Sequence, residues 1–484
     1  MAPTHVHFLE VRLFHEPLLG EDPRLSTAPL LLDFETAQPG IGRPPGLCDM
    51  KIVQITPGAA GMYCGGCMKD NALVAAMRRQ GHDVLMVPLY TPLTLDETDQ
   101  TQGIPVFFGG VNVYLEQKFS FLRRMPDSIR KLLSSPGLLR FVSSFAAKTS
   151  PSDLGDLTIS MLQGEHGYQA AELETLAHWL KQSEKPDVIC LSNILLSGLT
   201  NGLRSVLGVP VVSYLQGEDF FLDGLPEQHR QEAWRLASQR ARELDALIAP
   251  SRFFADTMAR RLGLPQPGPH VVLNGIRMDD FHPAEQASPA PILGYFARMT
   301  PEKGLGLVVD VFLTMRRDPR FSQLRLKLGG SCTGGDVAFV KQIKARLEQA
   351  SALSHVEFHP NVDRAGKIEF LRSLTVFCTP ALYGEAFGLY VIEAMACGVP
   401  VVVPNVAAFP DLISMSGGGL LTGSSPQELA QGIGELLLDP QRARAIGLAG
   451  HRNVLERFSI ERMARETVHV LSRVLEHRRS AGRP

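Results

Sequence analysis

The chain has 484 residues, 44% of them hydrophobic and 20% charged, enough to bury full-sized cores and too apolar for a broadly disordered polymer. At roughly 150 residues per domain this length allows about three units, or two larger α/β domains. Lysine plus arginine is 48 against 50 for aspartate plus glutamate; the resulting net charge of −2 argues against a dedicated nucleic-acid binder, whose affinity rests on a basic surface.

Residues 1–49 carry no sustained helical or strand period and end in a Pro/Gly-rich run, so they read as a disordered or mis-extended leader with Met50 as the natural start. They lack the basic region and apolar core of a signal peptide. No run of about 18 uninterrupted apolar residues marks a membrane-crossing helix. Seven cysteines, few and odd in number, fit a reducing compartment and lead us to expect a cytoplasmic protein.

From residue 51 short apolar runs alternate with longer helical patterns, the mark of parallel sheets with crossover helices. Strands are predicted at 51–56, 83–88, 187–191, 209–215 and 246–249, with helices over 69–80 and 227–243. A Pro/Ala/Ser-rich linker near 281–291 marks a domain boundary. A second series follows at 291–297, 324–329, 355–358, 375–379 and 400–404, and 459–478 reads as one helix. The expected architecture is α/β, with two doubly wound, Rossmann-like domains facing a cleft. The first covers 50–283 with a helical insertion near 91–170, the second 289–458, and a final helical segment 459–484.

Two segments stand apart from this rhythm. Residues 117–148 hold seven Lys/Arg and one acid, a pattern shared by a helix on an anionic membrane surface and by an ordinary insertion with a solvated basic face. Pro126 and Pro136 limit any continuous helix there and favour the second reading, leaving peripheral membrane contact as the alternative. Cys64 and Cys67 form a C-x-x-C that fits a redox couple, half of a zinc site, or a Gly-rich turn that merely brings two thiols close. With no second ligand pair to complete a metal set, the structural turn is preferred.

The densest signal is Tyr383-Gly-Glu385-Ala-Phe387-Gly388-Leu389-Tyr-Val-Ile-Glu393, which passes from a strand through a glycine loop into a helix. Amides at that helix start face the sheet's carboxyl edge, where doubly wound folds bind ligands. Upstream, Arg298 and Lys303 flank another strand-to-helix turn, so a diphosphate there meets two cations. Asn274-Gly275 makes a tight turn between the domains.

Together these segments resemble the GT-B glycosyltransferases, and within them the large retaining group called family 4. Glu385 and Glu393 match the family's Glu, seven residues, Glu motif, Pro301–Gly304 matches its P-E-K-G segment, and Leu273–Arg277 matches its inter-domain turn. The resemblance runs from about 51 to 478. It implies a hexosyltransferase that moves a hexose from a nucleoside-diphosphate sugar to an acceptor hydroxyl. It also implies retention, front-side attack with the departing phosphate taking the acceptor proton, and no metal or other cofactor. Glu393 would hold the nucleotide ribose, Glu385 the sugar hydroxyls, and Arg298 and Lys303 the diphosphate, assisted by the backbone of Phe387, Gly388 and Leu389. Gly65 and Gly66 would form the first domain's phosphate- and acceptor-side loop. No D-x-D pair appears, in keeping with metal independence.

One departure lies after the fourth strand, where the family usually carries His in an H-G-x-D context and this chain reads Gln216-Gly-Glu218-Asp219. Gln216 still offers hydrogen bonds to a sugar but no positive charge. Glu218 and Asp219 either orient the acceptor or satisfy loop amides. The acceptor stays open among a glycan, a lipid and a small molecule. The alternatives are a nucleotide-sugar epimerase on the same fold and a non-catalytic nucleotide-sugar sensor.

Overall fold

The computed structural model describes residues 50–58, 64–90, 93, 95–101, 104, 106–107, 151–285, 290–381 and 383–482. The leader 1–49 and the basic segment 117–148 lie outside the described residues. The first sheet comprises β1 (Lys51–Thr56), β2 (Asp83–Pro88), β3 (Val188–Leu191), β4 (Val211–Tyr214), β5 (Ala246–Ala249) and β6 (His270–Val271). The second comprises β7 (Ile292–Phe296), β8 (Arg325–Gly330), β9 (Val356–Pro360), β10 (Val376–Phe377), β11 (Val401–Pro404) and β12 (Gly419–Thr422). The apolar, β-branched runs of β1, β3, β4, β7, β10 and β11 are buried on both faces, as parallel strands under crossover helices must be.

The first sheet is ordered β2-β1-β3-β4-β5-β6 and the second β12-β11-β10-β7-β8-β9, with every described pairing parallel. Each is doubly wound: the strand order reverses beside β1 in one sheet and beside β7 in the other. Loops leaving the carboxyl ends of strands at such a switch point splay apart and leave a crevice for a ligand. Those loops carry Cys64 and Ser192 in the first lobe, Lys303 and Glu385 in the second.

The chain crosses between lobes twice, and the crossings pair. Ile276 donates to Phe458 O at 2.9 Å and accepts from Ile460 N at 3.0 Å. A Cβ on Gly275 would stand 2.4 Å from Ser459 O, so the close approach requires glycine there. Beyond it the helix Ile460–Ser480 returns to the first lobe. There Ile460, Met463, Ala464, Val468 and Leu471 pack with Ile52, Leu73 and Met77 in one buried core.

Three local differences from the sequence reading have physical causes. The helix predicted from residue 69 begins at Gly65, because amides of a first turn need no helical partner and two glycines cost little there. Strand β6 is two residues long, and β12 is half-exposed with Gly at its start, so neither makes an apolar run.

Candidate active site

The second lobe's half of the site is built where its two switch-point loops touch. After β7 the chain turns through Arg298–Gly304, with the Tyr295 hydroxyl donating to Arg298 O at 2.7 Å. Gly304 has φ +79 and caps the helix Leu305–Arg316; a Cβ on it would lie 2.1 Å from Pro380 O in the loop after β10. That contact seats Lys303 over Glu385. Its Nζ lies 2.6 Å from Glu385 Oε2, is hydrogen-bonded to the Tyr383 hydroxyl, and stands 4.7 Å from the centre of the Tyr383 ring. Tyr390 at 2.7 Å and Tyr383 at 3.2 Å donate to the same Oε2.

Glu385 is thus a buried carboxylate with three donors on one oxygen. Burial alone would push its carboxyl up; the Lys303 ammonium and the hydrogen bonds from Lys303, Tyr390 and Tyr383 outweigh that and hold it below the usual range. Arg298 is different: half its side chain is exposed and it pairs with Glu302 at 2.8 Å. Gly388, at φ +98, caps the helix Leu389–Ala396, and Phe387 before it is buried. The loop also docks on the first lobe, where Ser251 Oγ donates to Ala386 O at 2.7 Å and Phe220 lies 4.5 Å from the Tyr383 ring.

Glu393 lies on the wall of a cavity of about 210 Å³ between the lobes. It accepts from Lys367 Nζ at 2.7 Å, and Lys367 reaches across to Asp96 of the first lobe at 3.2 Å. Beside it Arg364 pairs with Glu97 at 3.0 Å. Desolvation would lower the Lys367 pKa, but Glu393 and Asp96 raise it above the usual lysine value, so the ammonium is a fixed charge. Arg298, Tyr390 and Leu389 share this wall with Gly65, Met68 and Lys69. Lys303 and Glu385 stand behind Tyr390, off the wall itself.

The first lobe's half is a buried polar network. Lys69 and Asp70, both nearly inaccessible, pair at 2.9 Å, and the Lys69 ammonium lies 4.1 Å from the centre of the Tyr214 ring. The Ser192 hydroxyl donates to Asp70, and Gln216 Nε2 donates to Ser192 O. Gln216 lies against the helix start: a Cβ on Gly66 would stand 2.7 Å from its Oε1. Glu218 accepts from Gln216 N at 2.8 Å and Ile194 N at 3.2 Å, so both its oxygens serve loop amides. Its burial pushes the carboxyl up to about 7, and burial likewise raises Asp219.

Sequence reasoning missed Lys69, Asp70, Ser192, Lys367, Asp96 and the two tyrosines. Tyr383 and Tyr390 offered a usable signal, since they bracket the Glu385 loop; the others read as ordinary charged or small residues. Among the described residues no group of three or more His, Cys, Asp or Glu is placed to hold a metal ion. Nor, among them, is any helix long and apolar enough to cross a membrane.

Two doubly wound lobes with a cavity between them, walled by Arg298, Lys367 and Glu393 on one side and Gly65, Met68 and Lys69 on the other, define an α/β protein of the GT-B class. Residues 278–452 match the model described as glycosyl transferases group 1, and residues 71–275 match the glycosyl transferase 4-like domain. The chain belongs to the group 1 glycosyltransferases, family 4 of the GT-B fold, and is an enzyme of that kind. It is 27% identical over 401 residues to the alpha-maltose-1-phosphate synthase of Mycolicibacterium smegmatis, covering 76% of this chain and 97% of that one. In fold it is similar to the sucrose-phosphate synthase of Thermosynechococcus elongatus, with a TM-score of 0.63 at 20% identity over 88% of this chain and 100% of that one. It is also similar to Anabaena HepE, solved with UDP and glucose, with a TM-score of 0.60 at 18% identity over 87% and 99% of the two chains.

Proposed function

We propose that this glycosyltransferase moves a hexose from a nucleoside-diphosphate sugar to an acceptor hydroxyl, with retention at the anomeric carbon and without a metal ion. The observation that carries the reading is Glu385, held ionised by Lys303, Tyr383 and Tyr390 at the second lobe's switch point. Cleaving the sugar–phosphate bond leaves negative charge on the diphosphate and positive charge on the sugar ring. Lys303 and Arg298 meet the first, with amides at the start of the helix after Gly388; the Glu385 carboxylate meets the second.

Lys303 and Arg298 are each held by a carboxylate, Glu385 and Glu302 respectively, so an arriving diphosphate exchanges one anionic partner for another. That keeps the cations from standing bare in a partly buried site. Glu393 lies on the cavity wall where the ribose hydroxyls of a nucleotide would reach it. Gln216 lies against the start of the first lobe's leading helix, where its amide, held by Ser192, would turn to the sugar or acceptor only by leaving that partner. The bound UDP and glucose of HepE support a nucleotide-sugar donor here by analogy of fold. On this reading the attacking hydroxyl approaches from the leaving-group face and the departing phosphate takes its proton.

Thermal melting with UDP, GDP, ADP and their hexose conjugates, in the presence of a chelator, tests the donor. One nucleoside diphosphate is expected to raise the melting temperature through linkage. The anomeric proton of the product, read by nuclear magnetic resonance, then tests retention. No stabilisation by any nucleotide would overturn the donor, and an inverted product would overturn the stereochemistry.

A further inference from the structure

Cys64 and Cys67 take no part in the chemistry above, and their placement is specific. Cys64 is the N-cap of the helix Gly65–Arg79, with extended φ −110 and ψ 118, and its carbonyl accepts from Met68 N at 3.0 Å. Cys67 is the third helical residue. N-cap and third-residue side chains are the ones that meet in a capping box; here both ends are sulfur. Both thiols are free, and Thr56 Oγ1 donates to Cys67 Sγ at 3.7 Å. As whole residues, Cys64 is half-buried and Cys67 is buried.

The first turn carries no acidic side chain, so the partial positive charge of its amides falls on the sulfur at the cap. The Cys67 thiol first, then the amides of Cys67 and Gly66, outweigh burial and draw the Cys64 thiol down to about 6. Cys67 moves the opposite way, far above the usual thiol range, through its hydrogen bond to Cys64 and then burial. By contrast, burial pushes Cys190 and Cys397 up to about 12. A thiolate at a helix N-cap with a protonated thiol three residues on is the arrangement that disulfide exchange requires.

We propose that Cys64 and Cys67 form a reversible intramolecular disulfide, a dithiol–disulfide site in the wall of the inter-lobe cleft that exchanges with small-molecule disulfides. The Cys64 thiolate attacks one sulfur of the reagent, the reagent's S–S bond breaks, and one thiolate leaves with the electron pair and takes up a proton. Cys67 then loses its proton and attacks the Cys64 sulfur, releasing the second thiolate, which is protonated in turn. Two protein thiols are oxidised by two electrons and one reagent disulfide becomes two thiols. Gly65, Met68 and Lys69, on the same turns, line the cavity, so the cross-link braces the cleft wall itself.

The test uses the full chain in glutathione mixtures of rising oxidised fraction, followed by alkylation, digestion and mass spectrometry. The peptide holding both cysteines is expected to become two hydrogens lighter and to revert with dithiothreitol. Iodoacetamide at neutral pH is expected to modify Cys64 at least about tenfold faster than Cys190 or Cys397. Cys67→Ser, with Cys67→Ala as the second variant and circular dichroism to confirm folding, is expected to leave Cys64 as a stable mixed disulfide. The proposal is overturned by a peptide that keeps both thiols across the whole range, or by Cys64 reacting no faster than the buried cysteines.

Discussion

The two lobes share a topology yet place their charges in opposite ways. In the first lobe Lys69 and Asp70 are sealed under Tyr214 and tied through Ser192 to Gln216. In the second, Lys303 and Glu385 meet at a loop junction where the Lys303 side chain keeps 20% exposure. Lys69 touches the cavity wall but keeps only 2% side-chain exposure and its buried partner, so that pair fixes geometry; a pair at a loop edge can trade partners. The difference separates a framework from a working site, although both consist of a lysine and a carboxylate.

Substitution separates the two most sharply. Asp70→Ala leaves the Lys69 ammonium buried without its partner and is expected to cost about 3–5 kcal/mol of stability, measured by urea unfolding. Lys303→Ala should cost less, about 1–3 kcal/mol, because Lys303 keeps 20% exposure and the Tyr383 and Tyr390 hydroxyls still donate to the Glu385 carboxylate. It should nevertheless lower transfer by about 10²–10³-fold, read as initial rate with the preferred donor. A large loss of folding stability in Lys303→Ala would erase the contrast.

The pH dependence sharpens it further. Burial raises Glu218 from 4.5 to about 7. Between those values the folded chain holds a proton that the unfolded chain has lost, so stability falls as pH rises through that window. Glu218→Gln is expected to flatten this slope in a series of melting curves; an unchanged slope would remove Glu218 as its source. The smallest effect is expected at Arg298, whose side chain is 55% exposed beside Glu302. Arg298→Ala should raise KM by less than about tenfold, since an exposed cation gains little from a ligand it meets in water.

The second lobe's half of the site was legible because its chemistry clusters where the pattern breaks. Glu385, Gly388 and Glu393 sit within one loop-to-helix passage, and Lys303 sits in another. The alternation of apolar runs likewise revealed ten of the strands, missing β6 and β12 for want of length or burial. The first lobe's network was hidden for a physical reason. Asp70 and Ser192 lie 122 positions apart, and Lys69 reads as an ordinary helix lysine. Its burial comes from packing of the helix Gly65–Arg79 against the central strands and the returning C-terminal helix, which no local pattern announces. Glu218 was left between two roles, and the structure puts both its oxygens on loop amides.

The most direct test of the account is calorimetric titration of wild type and Glu385→Gln with the preferred nucleoside diphosphate, alongside the transfer rate of each. Because Glu385 is assigned to the developing positive charge and the cations to the diphosphate, Glu385→Gln is expected to bind the diphosphate at least as tightly as wild type, while transfer falls by about a hundredfold or more. Wild-type transfer in Glu385→Gln, or loss of diphosphate binding in a folded variant, would contradict it.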